Sequence, residues 1–206
     1  MMQYYQIVSV LDAPEHDRML VHSRLDIYLR NQFLGAGGNT EMVNIPSLLP
    51  DYAFHLVPQT PERSVIMLRS AAPLNLPGEK AHEIHLEKGA VIDISVLLCS
   101  HSKTAERDTN VVFSPRYINE HIQKRLAQAG FEAVTEEPRQ MLVGAPKRYL
   151  MKRTKNTKGK TFSVYGYPLS GEVRVIDTEL ATSHFISGIG TKRAYGFGLI
   201  MEKDRR

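Results

Sequence analysis

His22 is the residue whose type and surroundings best suit proton-transfer chemistry. It is one of eight histidines, and it lies at the edge of the apolar face of a predicted helix. Asp26 follows four residues later, so its carboxylate can hold the imidazole ring or keep it protonated. Imidazole exchanges protons near neutral pH. These features make His22 a candidate for proton transfer, although an ordinary amphipathic helix would show the same pattern.

A glycine-rich loop near the end of the sequence is the second candidate site. Successive backbone N–H groups in such a loop can form an anion-binding nest, and two cations between its glycine pairs suit phosphate. A dinucleotide-binding loop has a strand before its glycines and a helix after them. The predicted order here is the reverse, which excludes a nicotinamide or flavin role and leaves a plain helix-to-strand connection as the alternative. The residues of this site are Gly188, Gly190, Lys192, Arg193, Tyr195, Gly196 and Gly198.

The third candidate site is a basic segment, residues 147–160, which carries seven cations and no acidic residue. Its turn-forming residues 156–159 favour a β-hairpin. Such a hairpin can follow the phosphates of a structured RNA, whose bases lie in a deep groove. A solvated surface loop is the alternative. The cations are Lys147, Arg148, Lys152, Arg153, Lys155, Lys158 and Lys160.

The glycine-rich loop also carries a family resemblance. Residues 188–200 read GIGTKRAYGFGLI, which resembles the C-terminal signature of the RAMP superfamily, and most closely that of the CRISPR endoribonucleases of the type I-E Cascade (the CasE subfamily). Arg193 takes the basic position of the motif, Tyr195 and Gly196 the YG pair. Further likenesses are Val21 to Leu25 on the first helix and the strand that ends in a Lys-Thr pair at Thr104.

The resemblance implies an activity, partners and roles for the candidate sites. It implies a metal-independent endoribonuclease that binds the CRISPR repeat stem-loop, cuts pre-crRNA to 2′,3′-cyclic phosphate and 5′-hydroxyl ends, and stays in a crRNA-guided complex. His22 matches the family's catalytic histidine, and the basic hairpin matches an element that engages the stem-loop. We expect no cofactor and no metal.

One departure leaves the second catalytic group open. Relatives often have a tyrosine one helical turn before the histidine, where this sequence has Met19. Another tyrosine, a lysine or no group at all are the alternatives, and Tyr28 is predicted to lie on the wrong face. Arg18 and Arg24 flank His22 and are candidates to steady the phosphate.

The elements that must position these residues follow a repeated pattern. The first half predicts strands at 4–10, 53–57, 64–68 and 82–86, with a helix that Asp12 caps and that runs to about Arg30. The second half predicts a strand at 91–98, a helix from Ser114-Pro115, a possible strand at 140–143, a hairpin at 161–167 and 172–176, a helix capped by Asp177, and a strand at 197–202.

Each half thus reads as strand–helix–strand–strand–(helix)–strand, which is the ferredoxin-like pattern. We expect an α+β chain of two tandem domains, 1–89 with the histidine and 90–206 with the basic hairpin and the glycine-rich loop. Charge divides in the same way. Residues 1–99 hold seven Lys+Arg and eleven Asp+Glu, whereas residues 100–206 hold 19 Lys+Arg and 11 Asp+Glu. The excess of cations in the second half favours a polyanion as its partner.

Composition narrows the class of protein. Hydrophobic residues make up 42% and charged residues 23%, as in ordinary globular proteins. Cys99 is the single cysteine, so we expect neither a disulfide framework nor a thiolate metal site, and a reducing cytoplasm fits best. We expect no signal peptide and no membrane helix. A non-catalytic RNA-binding subunit and an unrelated small-molecule enzyme remain the alternative functions.

Overall fold

The computed structural model describes residues 1–13, 18–34, 51–100, 115–136, 140–152 and 161–203. The elements of the first half are β1 (Met2–Leu11), α1 (Arg18–Leu34), β2 (Tyr52–Pro58), β3 (Ser64–Ser70) and β4 (Lys80–Ile84). The elements of the second half are β5 (Val91–Cys99), α2 (Pro115–Gln128), β6 (Phe131–Ala133), β7 (Leu142–Val143), β8 (Lys147–Lys152), β9 (Thr161–Val175), α3 (Thr178–Ser187), a 3₁₀ turn η1 (Arg193–Tyr195) and β10 (Met201–Glu202).

Both halves form the sheet that the ferredoxin-like pattern predicts. The first sheet has the antiparallel order β2-β3-β1-β4, and the second has β10-β5-β9-β6. In each, the first and third strands of the repeat lie in the centre, which confirms the tandem ferredoxin-like fold. Residues 71–79 form turns where a second helix of the first half would lie. We propose that the domain boundary lies in the connection between β4 and β5, near Gly89.

Helix α1 packs on the first sheet through the apolar face expected from its sequence. Val21 and Leu29 are buried, and Leu25 and Tyr28 pack against the same core. The helix extends to Leu34, beyond the predicted end. Oδ1 of Asp12 pairs with Nε of Arg63 at 2.8 Å. Residues 14–17, which include the proposed capping partner Glu15, lie outside the described residues, so the predicted cap stays a prediction.

The predicted hairpin around Ser170-Gly171 is wrong, because β9 is one strand of 15 residues. One edge of β9 pairs with β5, and the other edge pairs in turn with β8, β7 and β6. Gly171 does not turn the chain. A side chain there would lie 2.6 Å from the carbonyl oxygen of Gln140, so the glycine lets the neighbouring backbone approach closely.

The C-terminal strand is also shorter than the predicted strand at 197–202. Only Met201 and Glu202 pair with β5. Phe197, Leu199 and Ile200 are fully buried outside the ladder. Phe197 packs in a cluster with Leu97 and Tyr149, and Ile200 joins the core cluster around β5, α2 and α3. The apolar character of residues 197–200 correctly predicted that they are buried, but the prediction that they form a strand is wrong.

Arg69 on β3 joins the two halves through a buried guanidinium. Its Nη1 donates to the carbonyl oxygens of Ile200 at 2.7 Å and Phe185 at 3.1 Å, and its Nε donates to Gln6 at 2.8 Å. The guanidinium also lies 4.1 Å from the centre of the Phe185 ring. Burial lowers the pKa of Arg69 to about 10, so the group stays charged at neutral pH while it holds the second half by main-chain oxygens.

Candidate active site

His22 lies on α1 where that helix meets the second half of the chain. The ring is half-buried. Its Nδ1 is 3.1 Å from the hydroxyl of Tyr52, and its centre is 4.5 Å from that of the Tyr195 ring, tilted by 57°. Two elements far apart in sequence therefore enclose the imidazole, β2 from the first half and η1 from the glycine-rich loop.

The surroundings of His22 favour the neutral form of its ring over the protonated form. Burial lowers its pKa below the ordinary value, while the negative charge of Asp26 and hydrogen bonding to the backbone of Ala194 act in the opposite direction and are weaker. Asp26 does not keep the ring protonated, because desolvation of the imidazolium dominates. The neutral ring is the form that can accept a proton.

Tyr52 is a site residue that sequence reasoning missed. It is the first residue of β2 and lies 30 positions from its partner His22, so no helical or strand spacing connects the two. Burial raises the pKa of Tyr52 well above its ordinary value, helped by the charge of Asp26. Its hydroxyl therefore keeps its proton at neutral pH. It can donate to Nδ1 of His22 or accept from it, depending on the tautomer of the ring.

A cleft of about 410 Å³ opens beside this cluster. Lys192 and Arg193 contribute cations to its wall. Tyr52 and Tyr195 also line the cleft and contact His22, which is not itself a lining residue. Lys192 is one of two non-glycine residues with positive φ among the described residues, at 63°, a conformation that costs energy and often marks a functional loop. The lining residues are Asp51, Tyr52, Gly190, Thr191, Lys192, Arg193, Ala194 and Tyr195.

Three of the four loop glycines have a packing role. The N–H groups of Gly188, Gly196 and Gly198 donate to the carbonyls of His184, Arg193 and Leu97. An anion nest at this loop therefore cannot use these three N–H groups, contrary to the expectation from the glycine spacing. Gly190 lines the cleft.

Gly196 is expected to tolerate no side chain. Its φ is 81°, and a Cβ there would lie 2.6 Å from Phe54 and collide with the guanidinium of Arg18. Gly78 has the same φ of 81° with no atom within 4 Å of the corresponding Cβ. We expect Gly196→Ala to lower the free energy of unfolding by roughly 2–4 kcal/mol and Gly78→Ala by about 1 kcal/mol, from backbone strain alone. Urea denaturation of both variants checks this, and equal losses would contradict the packing role.

The two arginines that flank His22 on α1 do not meet in the cleft. Arg18 is fully buried, and its Nη1 donates to the carbonyl oxygen of Gly196 at 2.6 Å, so the proposal that it steadies a phosphate is wrong. Arg24 is exposed and lines a different groove, between α1 and the first sheet. Tyr28 lies away from His22 as predicted, with its hydroxyl 3.4 Å from the carbonyl oxygen of Asn75. The side chain of Met19 lies outside the described residues.

The basic segment begins as the expected β-hairpin. Strand β8 pairs with β9 from Lys147 opposite Gly166 to Lys152 opposite Thr161. Lys147 and Arg148 are exposed, and the Nε of Arg148 donates to Ser163 at 2.9 Å. Tyr149 points the other way and is buried. The tip with Arg153, Lys155, Lys158 and Lys160 lies outside the described residues.

In the described part of the chain, no three His, Cys, Asp or Glu side chains come together as metal ligands. No described helix combines the length and apolar character needed to cross a bilayer.

Comparison with solved structures finds the same fold over nearly the whole chain. A structure of the CRISPR endoribonuclease Cse3 bound to a 19-nucleotide RNA matches with a TM-score of 0.70 at 15% identity, covering 98% of this chain and 99% of that chain. Thermus thermophilus Cse3, bound to an RNA representing a pre-cleavage complex, matches at 0.66 and 14%, covering 98% and 100%. A chain of a CRISPR RNA-guided surveillance complex matches at 0.59 and 15%, covering 96% and 98%.

Sequence comparison places the chain in a family. No curated protein matches it, but the family model described as "CRISPR associated protein" matches residues 87–202. That stretch is more than half of the chain and contains β5 to β10 with the basic hairpin and the glycine-rich loop. The chain therefore belongs to the family of CRISPR-associated proteins.

Proposed function

We propose that the protein is an endoribonuclease that binds the stem-loop of CRISPR repeat RNA and cuts pre-crRNA with His22 as its general acid/base. The observation that carries the proposal is the enclosure of the His22 imidazole by Tyr52 and Tyr195 beside a cation-lined cleft. The likeness to Cse3 bound to RNA supports the choice of substrate.

The proposed reaction uses the nucleophile that RNA carries. Neutral His22 takes the proton of the 2′-hydroxyl, the O2′–P bond forms, and the P–O5′ bond breaks as O5′ receives a proton. The products are a 2′,3′-cyclic phosphate and a 5′-hydroxyl, and no metal ion enters the balance. Lys192 and Arg193 in the cleft wall stabilise the charge that develops on the phosphorane oxygens. Tyr52, which keeps its proton, is the candidate for the second group.

The RNA is proposed to lie along the basic face of the second half. Lys147 and Arg148, the exposed cations of β8, contact the phosphates of the stem. This binding is independent of the chemistry, so the protein can remain on the cut 3′ hairpin. The match to a chain of a CRISPR RNA-guided surveillance complex supports a role as a subunit of such a complex. The cytoplasm is the proposed location, because the sequence has a single cysteine and no disulfide framework.

A non-catalytic RNA-binding subunit is the second candidate function. The sequence observation that favours it is Met19, at the position where related enzymes often carry a tyrosine. Tyr52 weighs against it, because its hydroxyl already contacts His22.

Cleavage of the cognate repeat RNA in EDTA tests the proposed function. The substrate is compared with the same RNA carrying a single 2′-deoxynucleotide at the scissile position. Cleavage of the all-RNA substrate alone, with equal binding of both, is the expected result. Tight binding of both without cleavage of either would make the protein a binding subunit, and cleavage of the deoxy substrate would exclude attack by the 2′-hydroxyl.

The pH dependence of cleavage reports on Asp26. Because burial lowers the pKa of His22, we expect the acid limb of the single-turnover rate to fall below the ordinary histidine value of about 6.5. The charge of Asp26 raises this pKa, so Asp26→Asn should lower it further and move the acid limb to lower pH with little change in the plateau. Glu83→Gln, an exposed carboxylate-to-amide change on β4, is the control. A shift of the acid limb to higher pH in Asp26→Asn would contradict the view that His22 sets this limb and that the charge of Asp26 raises its pKa.

A further inference from the structure

Arg18 is the one charged residue among the largest fully buried side chains of the described part of the chain, with no exposed surface. It is the first described residue of α1 and lies four positions, about one helical turn, before His22. Burying a guanidinium is costly unless its surroundings replace the water it loses. A charge retained there therefore calls for a function, and the proposed mechanism does not use it.

The contacts of Arg18 join three elements that are distant in sequence. Its Nη1 donates to the carbonyl oxygen of Gly196, which caps the C-terminal end of η1. Its guanidinium lies 4.7 Å from the centre of the Tyr149 ring on β8 and 5.2 Å from that of Phe197. Those two rings pack edge to face at 5.3 Å, so Arg18 has a preformed aromatic site.

Each of these elements carries a part of the candidate active site. Tyr149 follows the exposed cations Lys147 and Arg148 on the hairpin strand. Gly196 follows Tyr195, whose ring lies on His22. One guanidinium thus lies between the strand proposed to bind RNA and the residue that encloses the imidazole.

We propose that Arg18 is a positioning residue, which fixes the start of α1 against η1 and β8 and so holds His22 in register with the cleft and the basic hairpin. It acts through Gly196 and Tyr195 and touches neither RNA nor the reacting atoms. The geometry makes placement of His22 depend on the second half of the chain, although the histidine belongs to the first half. This inference rests on the proposed function for its effect on cleavage.

The test compares Arg18→Met and Arg18→Lys with Arg69→Met. Arg69 also binds main-chain oxygens across the two halves, but at Phe185 and Ile200, away from His22. We expect Arg18→Met to lower the single-turnover rate at saturating RNA on the order of 100-fold, as misplacement of a catalytic group does, with Arg18→Lys in between. Arg69→Met should lower the urea midpoint but leave the rate of the folded protein unchanged.

The pKa of His22, measured by NMR in the RNA-free protein, gives a readout that needs no cleavage. Arg18 itself carries a charge one helical turn from the ring, so Arg18→Lys, which keeps that charge, is the decisive variant. The other charged and titratable groups around the ring, Asp26, Tyr52 and Tyr195, remain in all variants. Loss of the Arg18 contact loosens Tyr195 and hydrates the imidazole, so its pKa should rise toward the ordinary value. The Arg69 variant should show the wild-type pKa.

The outcomes separate this inference from the proposed function. If wild type does not cut RNA, a raised His22 pKa in the Arg18 variants still supports the positioning role. The inference would be overturned if folded Arg18→Lys showed the wild-type cleavage rate and the wild-type pKa of His22. It would also be overturned if Arg69→Met lowered the cleavage rate as much as Arg18→Met does. If Arg18→Met does not fold, Tyr149→Leu removes the aromatic contact while keeping apolar bulk, and it must reproduce the raised pKa for the proposal to stand.

Discussion

Replacement of His22 by alanine should lower the single-turnover rate of repeat cleavage by roughly 10²–10⁴-fold, the usual contribution of a positioned acid/base. The variant should still bind the RNA stem-loop with nearly wild-type affinity, because the residues proposed to contact the phosphates of the stem lie on β8 and not on α1. Quantified gels of end-labelled RNA give the rate, and filter binding gives the affinity.

The control for this prediction is His85→Ala. His85 is exposed, and its described ionic neighbour is Glu87 at 3.8 Å, so it shares the residue type but not the enclosure. We expect wild-type cleavage from this variant. Unchanged cutting by His22→Ala would move the active site to another group.

Removal of the two exposed hairpin cations, Lys147→Ala with Arg148→Ala, should weaken RNA binding on the order of 10-fold near physiological salt. Each lost phosphate contact reduces the slope of log K against the logarithm of the salt concentration by about one. The slope for the double variant should therefore be smaller than that for wild type by about 2. The rate at saturating RNA should stay near wild type, because Tyr149 and its contact with Arg18 are retained. Fluorescence anisotropy over a salt series measures both quantities.

The matched control removes two exposed lysines of the acidic first half, Lys80→Ala with Lys88→Ala. It changes the net charge by the same amount, so an equal loss of affinity would mean that long-range charge, and not contact with the hairpin, governs binding. Such a result would contradict the proposed RNA path.

The fold was predictable because local signals and the global pattern agree in most elements. Asp177 shows this, since its carboxylate caps α3 by accepting from the N–H of Leu180 at 3.0 Å, as the sequence predicted. The errors occur where contacts with residues far away in the sequence determine the local conformation. Gly171 reads as a turn residue until the backbone of Gln140 is placed beside it. Residues 197–200 read as a strand, but Phe197 and Ile200 pack into core clusters of the second half outside the ladder.

The candidate site was predictable only in part for the same reason. His22 and Tyr195 could be singled out as candidates because a family resemblance and a local motif mark them. Tyr52 was not found, since its contact with His22 spans 30 residues and depends on the packing of β2 against α1. Arg18 was misassigned because helical spacing places it beside His22, whereas its burial depends on Tyr149 and Phe197 in the other half.

The most direct test of the central claim is the chemistry of the cut ends, read by mass spectrometry after wild type and His22→Ala are incubated with repeat RNA in EDTA. The account predicts one wild-type cut, with a 2′,3′-cyclic phosphate on the upstream fragment and a 5′-hydroxyl on the hairpin fragment, and no cut by His22→Ala. A 3′-hydroxyl with a 5′-phosphate, or equal cutting by both proteins, would contradict a mechanism in which His22 activates the 2′-hydroxyl.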